Sequence, residues 1–554
     1  MRKHNIARMA ATAGLALTMA FGPVAAPVAA FAADGTGSVT IQMNANNTSD
    51  ATTTLGYQIF KADVVDNGTS KTASNIDWAN DEVKNVVVEQ IKKLDSAYAG
   101  TTAQDAADYL STHLPAEGSS GTSTIIESNK LYSNIANALR ADTSLTSTTL
   151  KIGEAQTLSA GYWVFLTNST STDGGTNQVG SAPIYAVVGG SALTVSPKTT
   201  LPTVTKQVKN DATGADWSNV ADSQVGQDLE YRLTGTVADA IPSYTTYYYK
   251  FTDTLSAGLT ADSSTVAVTV ETNGTSYTVP TTVTTTDASY TNYTTTLAIN
   301  TDGTSVLGVE FTDLKSLRDA SGTAIPVNGT TKVYVTYNAA LNSSAVVASG
   351  YNDNSVKLTY SNNPGTDSRG DSTPSSVRDY TFRLNLVKVD SSQQSKTLAG
   401  AKFIIQATNP DEGASTKYVQ ADGTLGDTAY EFTTGDDGSI SVSGLDVGKY
   451  HVVETQAPSG YNTVAGFDFE IRATYNTTGA LTKVEASSSN STAADASTDT
   501  AGLVTVTVKD KAGMSLPLTG QAGVTVTWIA GGVVLALGIT HLVRSRENAE
   551  DSAE

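Results

Sequence analysis

Six polar side chains fall where strand alternation calls for apolar ones. In Val204-Thr205-Lys206-Gln207-Val208 the lysine shares a face with Val204 and Val208, while Lys209 falls on the other face. Asp253 shares a face with Phe251 and Leu255, and Asn354 with Val356, Leu358 and Tyr360. Farther along, Lys388 lies with Leu384 and Leu386, Glu454 with Tyr450 and Val452, and Asp510 with Val504, Val506 and Val508. Left unpaired in a core, such groups are strongly destabilising. The chemistry open to such a set is nucleophilic attack by the amine. Desolvation favours the neutral, reactive form of a buried lysine. A protonated Asp or Glu beside it can polarise a carbonyl and carry protons. Fixed proximity then replaces an external enzyme, because oriented intramolecular pairs reach effective molarities of ~10⁵ M or more. The plainer alternatives are a strand-end lysine with its charge in water and a buried non-covalent salt bridge.

Other chemistries lack material. The chain of 554 residues has no Cys, which excludes thiol nucleophiles, thiolate zinc sites and disulfides. Of its 4 His, His4 and His541 lie at the two ends, leaving His113 and His451 for structural roles. No metal and no cofactor is expected. A formal charge of −20 argues against nucleic-acid binding. There is no carboxylate pair in a loop context and no Ser–His arrangement, so the reading is not an enzyme.

The elements that must position the six residues are mostly strands. Thr, Ser, Val, Gly and Tyr dominate the composition. Residues 38–197 read as α+β: strands at 39–43, 56–64, 162–166 and 184–188 surround three helical patches. The first patch carries Val83, Val87, Ile91 and Leu94, with Asn80 as its cap. The second carries Ala103, Ala106, Ala107 and Leu110, and the third Leu131, Ile135 and Leu139. Residues 203–364 read as a β-sandwich, with alternation at Leu229, Tyr231 and Leu233, at Val266, Val268 and Val270, and at Val333, Val335 and Tyr337. Residues 362–376 read as a polar linker or long loop holding Arg369-Gly370-Asp371, a chance tripeptide on this reading. Residues 380–512 form another β domain. Within it, Gly435-Asp436-Asp437-Gly438 fits a hairpin turn better than a calcium loop, and residues 486–500 read as a mobile surface loop.

Both ends carry export signals. Arg2, Lys3 and Arg8 precede an apolar stretch, and Ala30-Phe31-Ala32 fits a signal-peptidase site before Ala33. At the other end, residues 524–543 form an apolar run long enough to span a bilayer, followed by Arg544 and Arg546. Leu516-Pro517-Leu518-Thr519-Gly520 stands directly before it and resembles the sorting signal of Gram-positive surface proteins. The run from Tyr450 to Tyr461, with Glu454-Thr455-Gln456-Ala457-Pro458-Ser459-Gly460-Tyr461, resembles the E-box of sortase-assembled pilins. Leu386-Val387-Lys388-Val389-Asp390 and Leu398-Ala399-Gly400-Ala401-Lys402-Phe403 resemble the opening of a collagen-adhesin B-type domain. Phe251 to Leu255 and Asn354 to Asn362 resemble the pilin domain before it.

The resemblance implies a Gram-positive shaft pilin: mainly β, with tandem Ig-like sandwiches after an α+β domain. The expected organisation is a signal peptide at 1–32, an α+β domain at 33–198, a β-sandwich with linker at 199–377, a collagen-adhesin B-type domain at 378–513 and a sorting signal at 514–554. It also implies two intramolecular isopeptide bonds, Lys206–Asn354 with Asp253 as the acid and Lys388–Asp510 with Glu454 as helper. Relatives usually carry Asn where this chain has Asp510, so the second bond would release water in place of ammonia. Lys61 is a weak lysine candidate in the first domain. A pilus-class sortase would cleave after Thr519 and join its carbonyl to Lys198 of the next subunit. Lys198 stands in Val195-Ser196-Pro197-Lys198, where Pro197 keeps the backbone extended. This motif has Ser196 where the family has Tyr. Expected partners are identical subunits, minor pilins, a housekeeping sortase, peptidoglycan and a host surface ligand, with the product anchored to the cell wall. The alternative is a monomeric wall-anchored adhesin or minor pilin.

Overall fold

The computed structural model describes residues 20–21, 35–42, 53–66, 71–113, 126–168, 175–176, 179–195, 200–210, 216–286, 288–347, 350–408, 417–499 and 502–513. These residues are mainly β, and the chain divides into two compact units, one running to Tyr380 and taking in Thr477–Ala480, the other holding Thr381–Asn476 and the residues from Leu481.

In the first unit, strand Thr53–Asp66 lies between Lys71–Trp78 and Gly161–Asn168, and Ile184–Val188 follows on the far side. The Gly161–Asn168 strand is apolar on both faces because both are covered. Tyr162, Val164 and Leu166 pack with the helices Asp81–Leu94, Ala103–Thr112 and Leu131–Ala141. Trp163 and Phe165 pack instead with Val39, Ile41 and Val195. Asn80 caps the first helix as expected, accepting the Val83 N–H at 2.8 Å. Val83, Val87 and Ile91 are buried, but Leu94, the last residue of the helix, is exposed.

The rest of this unit is a sandwich. One sheet runs Trp217–Ser218, Val204–Lys209, Asp228–Thr236, Lys332–Leu341, Leu259–Thr272, Thr275–Val279. The facing sheet runs Val220–Asp222, Ser375–Tyr380, Asn352–Ser361, Tyr249–Leu255, Ser305–Phe311, Thr294–Ile299. Alternate residues of both close a core that includes Leu233, Phe251, Val335 and Leu358. Hydrogen bonds tie this sandwich to the helical part: Ser128 N–H to the Pro242 carbonyl at 2.9 Å, and Asn363 Nδ2 to the Thr167 carbonyl at 3.0 Å. The stretch 362–376 is mostly loop, as expected, but it is interrupted by strand at Arg369–Asp371 and runs into the strand Ser375–Tyr380. Arg369–Asp371 pairs with Thr359, Tyr360 and Ser361, and Ser375–Tyr380 pairs with Asn352–Ser361. Side-chain bonds to Asp371 from Lys357 at 2.7 Å and Thr359 at 2.6 Å hold the polar stretch in the sheet.

In the second unit the first strand, Phe382–Asp390, pairs in parallel with the last, Leu503–Asp510. Ser439–Leu445 and Ala494–Thr498 flank them. The other sheet is built around Lys402–Ala407, Gly448–Gln456, Phe467–Tyr475 and Leu481–Ser488. The loop expected at 486–500 is therefore mostly strand. Its small polar residues pair along Leu503–Asp510, and Asp495 meets Lys509 at 2.5 Å. Edge pairing satisfies a backbone that composition alone marks as loop.

Candidate functional site: two buried lysine–carboxyl clusters

The first cluster spans the sandwich. Lys206 comes from one sheet, and Asp253 and Asn354 from the other. The last two sit on adjacent strands, in the register that sets Leu255 opposite Asn354 and Asp253 opposite Val356. All three are buried, Asp253 and Asn354 completely. Lys206 Nζ lies 2.5 Å from both Asp253 carboxylate oxygens and donates to the Tyr337 hydroxyl at 3.0 Å. Tyr337 donates to Asp253 Oδ2 at 2.6 Å and accepts from Asn354 Nδ2 at 2.8 Å. Asn354 Oδ1 is buried without a hydrogen-bond partner. Burial pulls the Lys206 amine down to about 8, against the opposing pull of Asp253. Burial likewise holds Tyr337 far above the ordinary tyrosine value, so it is a neutral donor.

The second cluster joins the ends of the second unit. Register sets Lys388 opposite Val508 and Asp390 opposite Asp510, so Lys388 and Asp510 are diagonal neighbours on one face. Both are fully buried. Lys388 Nζ bonds Asp510 Oδ1 directly and lies 2.9 Å from Glu454 Oε1, which arrives from the opposite sheet. The Val464 N–H fixes Glu454 by donating to Oε2 at 2.8 Å. Burial pushes Glu454 up to about 7, with Lys388 and the Val464 N–H pulling the other way. Burial also raises Asp510 above the usual carboxylate range. Lys388 Nζ also sits 5.4 Å from the Phe403 ring centroid. Tyr461, which ends the motif begun at Tyr450, donates to Asp390 Oδ2 at 2.8 Å and ties that segment to the first strand.

Each cluster can do one thing chemically. A proton moving from the lysine to its carboxylate leaves a neutral amine beside a neutral acid, with a carboxamide or a second carboxyl in the same dry pocket. All six residues singled out in the sequence lie on the core face. Tyr337 and the Val464 amide join them unannounced. For Tyr337 the signal was present, since it shares a face with Val333 and Val335.

Other candidates separate from these clusters. Lys61 is exposed in mid-strand. Arg369 lies over the Tyr248 ring, 3.4 Å from its centroid, and Gly370 and Asp371 are buried, so the tripeptide is built into the sheet, paired with Thr359, Tyr360 and Ser361 on one side and Gly175–Thr176 on the other. Gly435 to Gly438 forms the expected turn, closed by Gly435 N–H to the Ser439 carbonyl at 3.0 Å. His113 stacks on Tyr109, and His451 pairs with Asp468 at 2.6 Å. Among the described residues no group of three or more His, Asp or Glu side chains is arranged to hold a metal, and no helix is long and apolar enough to cross a membrane. Lys198, the pentapeptide from Leu516 to Gly520, the apolar run at 524–543 and the cleavage site before Ala33 lie outside the described residues.

No curated protein matches the chain. Among solved structures, the T6 backbone pilin of serotype M6 Streptococcus pyogenes is similar over 87% of this chain and 100% of its own, at 17% identity and a TM-score of 0.49. The full-length major pilin SpaD of Corynebacterium diphtheriae is similar over 87% and 98%, at 16% identity and a TM-score of 0.42. The major pilin SpaA of the same organism is similar over 86% and 100%, at 14% identity and a TM-score of 0.41. Residues 382–486, which include Lys388 and Glu454, match the family model of the SpaA prealbumin-like fold domain.

Proposed function

We propose that the chain is the major structural subunit of a covalently polymerised, wall-anchored pilus of a Gram-positive bacterium, and not an enzyme acting on other molecules. The observation that carries this reading is the pair of dry lysine–acid clusters, one in each compact unit. A salt bridge buried this completely gains little over apolar packing, because desolvation offsets the Coulomb attraction. Placing two of them between load-bearing strands makes sense if they are converted to covalent bonds. In the first, Lys206 Nζ attacks Asn354 Cγ, forming an amide and releasing ammonia, with Asp253 as the acid. In the second, Lys388 Nζ attacks Asp510 Cγ, forming an amide and releasing water, with Glu454 holding the proton. The raised Glu454 and the depressed Lys206 favour the neutral forms this requires.

On this reading the chain is exported by its signal peptide and held by the apolar tail. It has three domains, the first ending near Lys198, the second spanning 199–377 and the third 378–513. A pilus-class sortase joins Thr519 of one subunit to Lys198 of the next, and a housekeeping sortase passes the base of the fibre to peptidoglycan. Boiling surface extracts in detergent before electrophoresis tests this. A ladder of covalent multimers that vanishes in Lys198→Arg supports the shaft role. A single monomer band in the parent would favour a wall-anchored adhesin.

A further inference from the structure

The bond expected between Lys206 and Asn354 needs more than a nucleophile and an acid. The leaving nitrogen must be held, and it must receive a proton. We propose that Tyr337 does both: its hydroxyl fixes the Asn354 carboxamide and relays the proton with which Nδ2 departs. The inference rests on the Lys206–Asn354 reading above and adds to it a residue that touches both reacting nitrogens.

One phenolic oxygen meets all three partners. It accepts from Lys206 Nζ at 3.0 Å and from Asn354 Nδ2 at 2.8 Å, and it donates to Asp253 Oδ2 at 2.6 Å. A hydroxyl offers one donor and two acceptor lone pairs, so Tyr337 is saturated and each partner has a fixed place. Holding Nδ2 leaves Asn354 Oδ1 as the free end of the carboxamide, and this is the buried atom with no partner. Oδ1 is the oxygen on which negative charge develops when the amine adds, and no side chain donates to it in this arrangement.

The step balances. Lys206 first gives a proton to Asp253 and becomes neutral. Its Nζ then bonds to Asn354 Cγ while the C–Nδ2 bond breaks, its electron pair going to nitrogen. Asp253 passes its proton to Tyr337, Tyr337 passes its own to Nδ2, and the amide Nζ returns its surplus proton to Asp253. Ammonia leaves, Tyr337 ends as it began, Asp253 ends as the neutral acid holding the proton that Lys206 carried at the start, and nothing is oxidised or reduced. The relay needs only that the protons along Asp253 Oδ2, Tyr337 oxygen and Asn354 Nδ2 reverse direction.

The fold prevents Tyr337 from drifting. It lies inside its sheet between Asp228–Thr236 and Leu259–Thr272, is 1% exposed, and stacks on Tyr231 with ring centroids 5.4 Å apart. Tyr231 supplies a matched control. It is equally buried and its ring lies as close to Lys206 Nζ, 5.4 Å against 5.3 Å for Tyr337. Its hydroxyl, however, has no hydrogen-bond partner.

The test is a time course of bond formation in the full chain made by cell-free synthesis. Samples are quenched in acid denaturant, and the cross-linked peptide carrying Lys206 and Asn354 is quantified by mass spectrometry. Each value is divided by the protease-resistant, folded fraction. Tyr337→Phe is expected to slow the bond at least about tenfold, while Tyr231→Phe stays within about twofold of the parent. A parent-like rate in Tyr337→Phe overturns the proposal, as does equal slowing by Tyr231→Phe. Should Tyr337→Phe not fold, 3-fluorotyrosine placed at position 337 keeps the ring and hydroxyl but weakens the acceptor, and an unchanged rate there is equally fatal. A parent chain that never forms the cross-link removes the underlying reading itself, an outcome distinct from a parent that cures and a Tyr337 variant that cures equally fast.

Discussion

Asn354→Ala separates the covalent bond from the charges around it. The substitution removes the carbon that Lys206 would attack, yet Lys206 keeps Asp253 at 2.5 Å and Tyr337 at 3.0 Å. No buried charge loses its partner. What disappears is the restraint on the unfolded chain. A link across about 150 positions contributes ~5 kcal/mol by loop-closure entropy. For a domain of this size each kcal/mol moves the melting temperature by about 2–4 °C, so a fall of about 10–20 °C is expected. Scanning calorimetry of parent and variant reads this, with intact mass confirming that only the parent has lost ammonia. Lys206→Ala removes the same restraint and also strands the Asp253 carboxyl, which costs about 3–5 kcal/mol more when a buried partner is missing. It should therefore melt lower still. An Asn354→Ala transition within about 3 °C of the parent would refute the reasoning, and Lys206→Ala melting above Asn354→Ala would refute its electrostatic half.

The second cluster predicts a pH dependence. Glu454 is protonated below its folded value of about 7 and charged above it, and the acid form is the one required. Formation of the Lys388–Asp510 bond should fall about tenfold per pH unit above 7, and Glu454→Gln should block it. A rate still rising at pH 8, followed by mass spectrometry, would contradict this. Stretched singly, the parent should never release the stretch between Lys388 and Asp510, 122 positions apart, whereas Lys388→Ala should yield about 400 Å of extra contour at ~3.4 Å per residue. Equal extension of the two would mean that the bond is absent or does not carry load.

The positions of the reactive side chains were legible because burial on a strand is a period-two property. Lys206, Asp253, Asn354, Lys388, Glu454 and Asp510 each follow the face of their apolar neighbours, and each is buried. Alternation names a face but not the residue opposite it on another sheet. Tyr337 was therefore readable as core and unreadable as the hub between Lys206, Asp253 and Asn354. The Val464 contact to Glu454 was hidden for a different reason, since it depends on how a loop folds back. Composition misled at 486–500, a small, polar stretch that becomes strand at Ala494–Thr498 because Leu503–Asp510 supplies its backbone partners. At 362–376 it misled only in part, since Arg369–Asp371 and the start of Ser375–Tyr380 pair while the rest is loop. Leu94 fits the helix periodicity yet lies exposed, since periodicity cannot tell where the covering layer stops.

The most direct measurement is the intact mass of the recombinant chain, followed by tryptic mapping of the cross-linked peptides. Self-welding predicts a mass below the sequence sum by one ammonia and one water, with Lys206 joined to Asn354 and Lys388 to Asp510. A mass equal to the sequence sum, with four separate peptides, would contradict it.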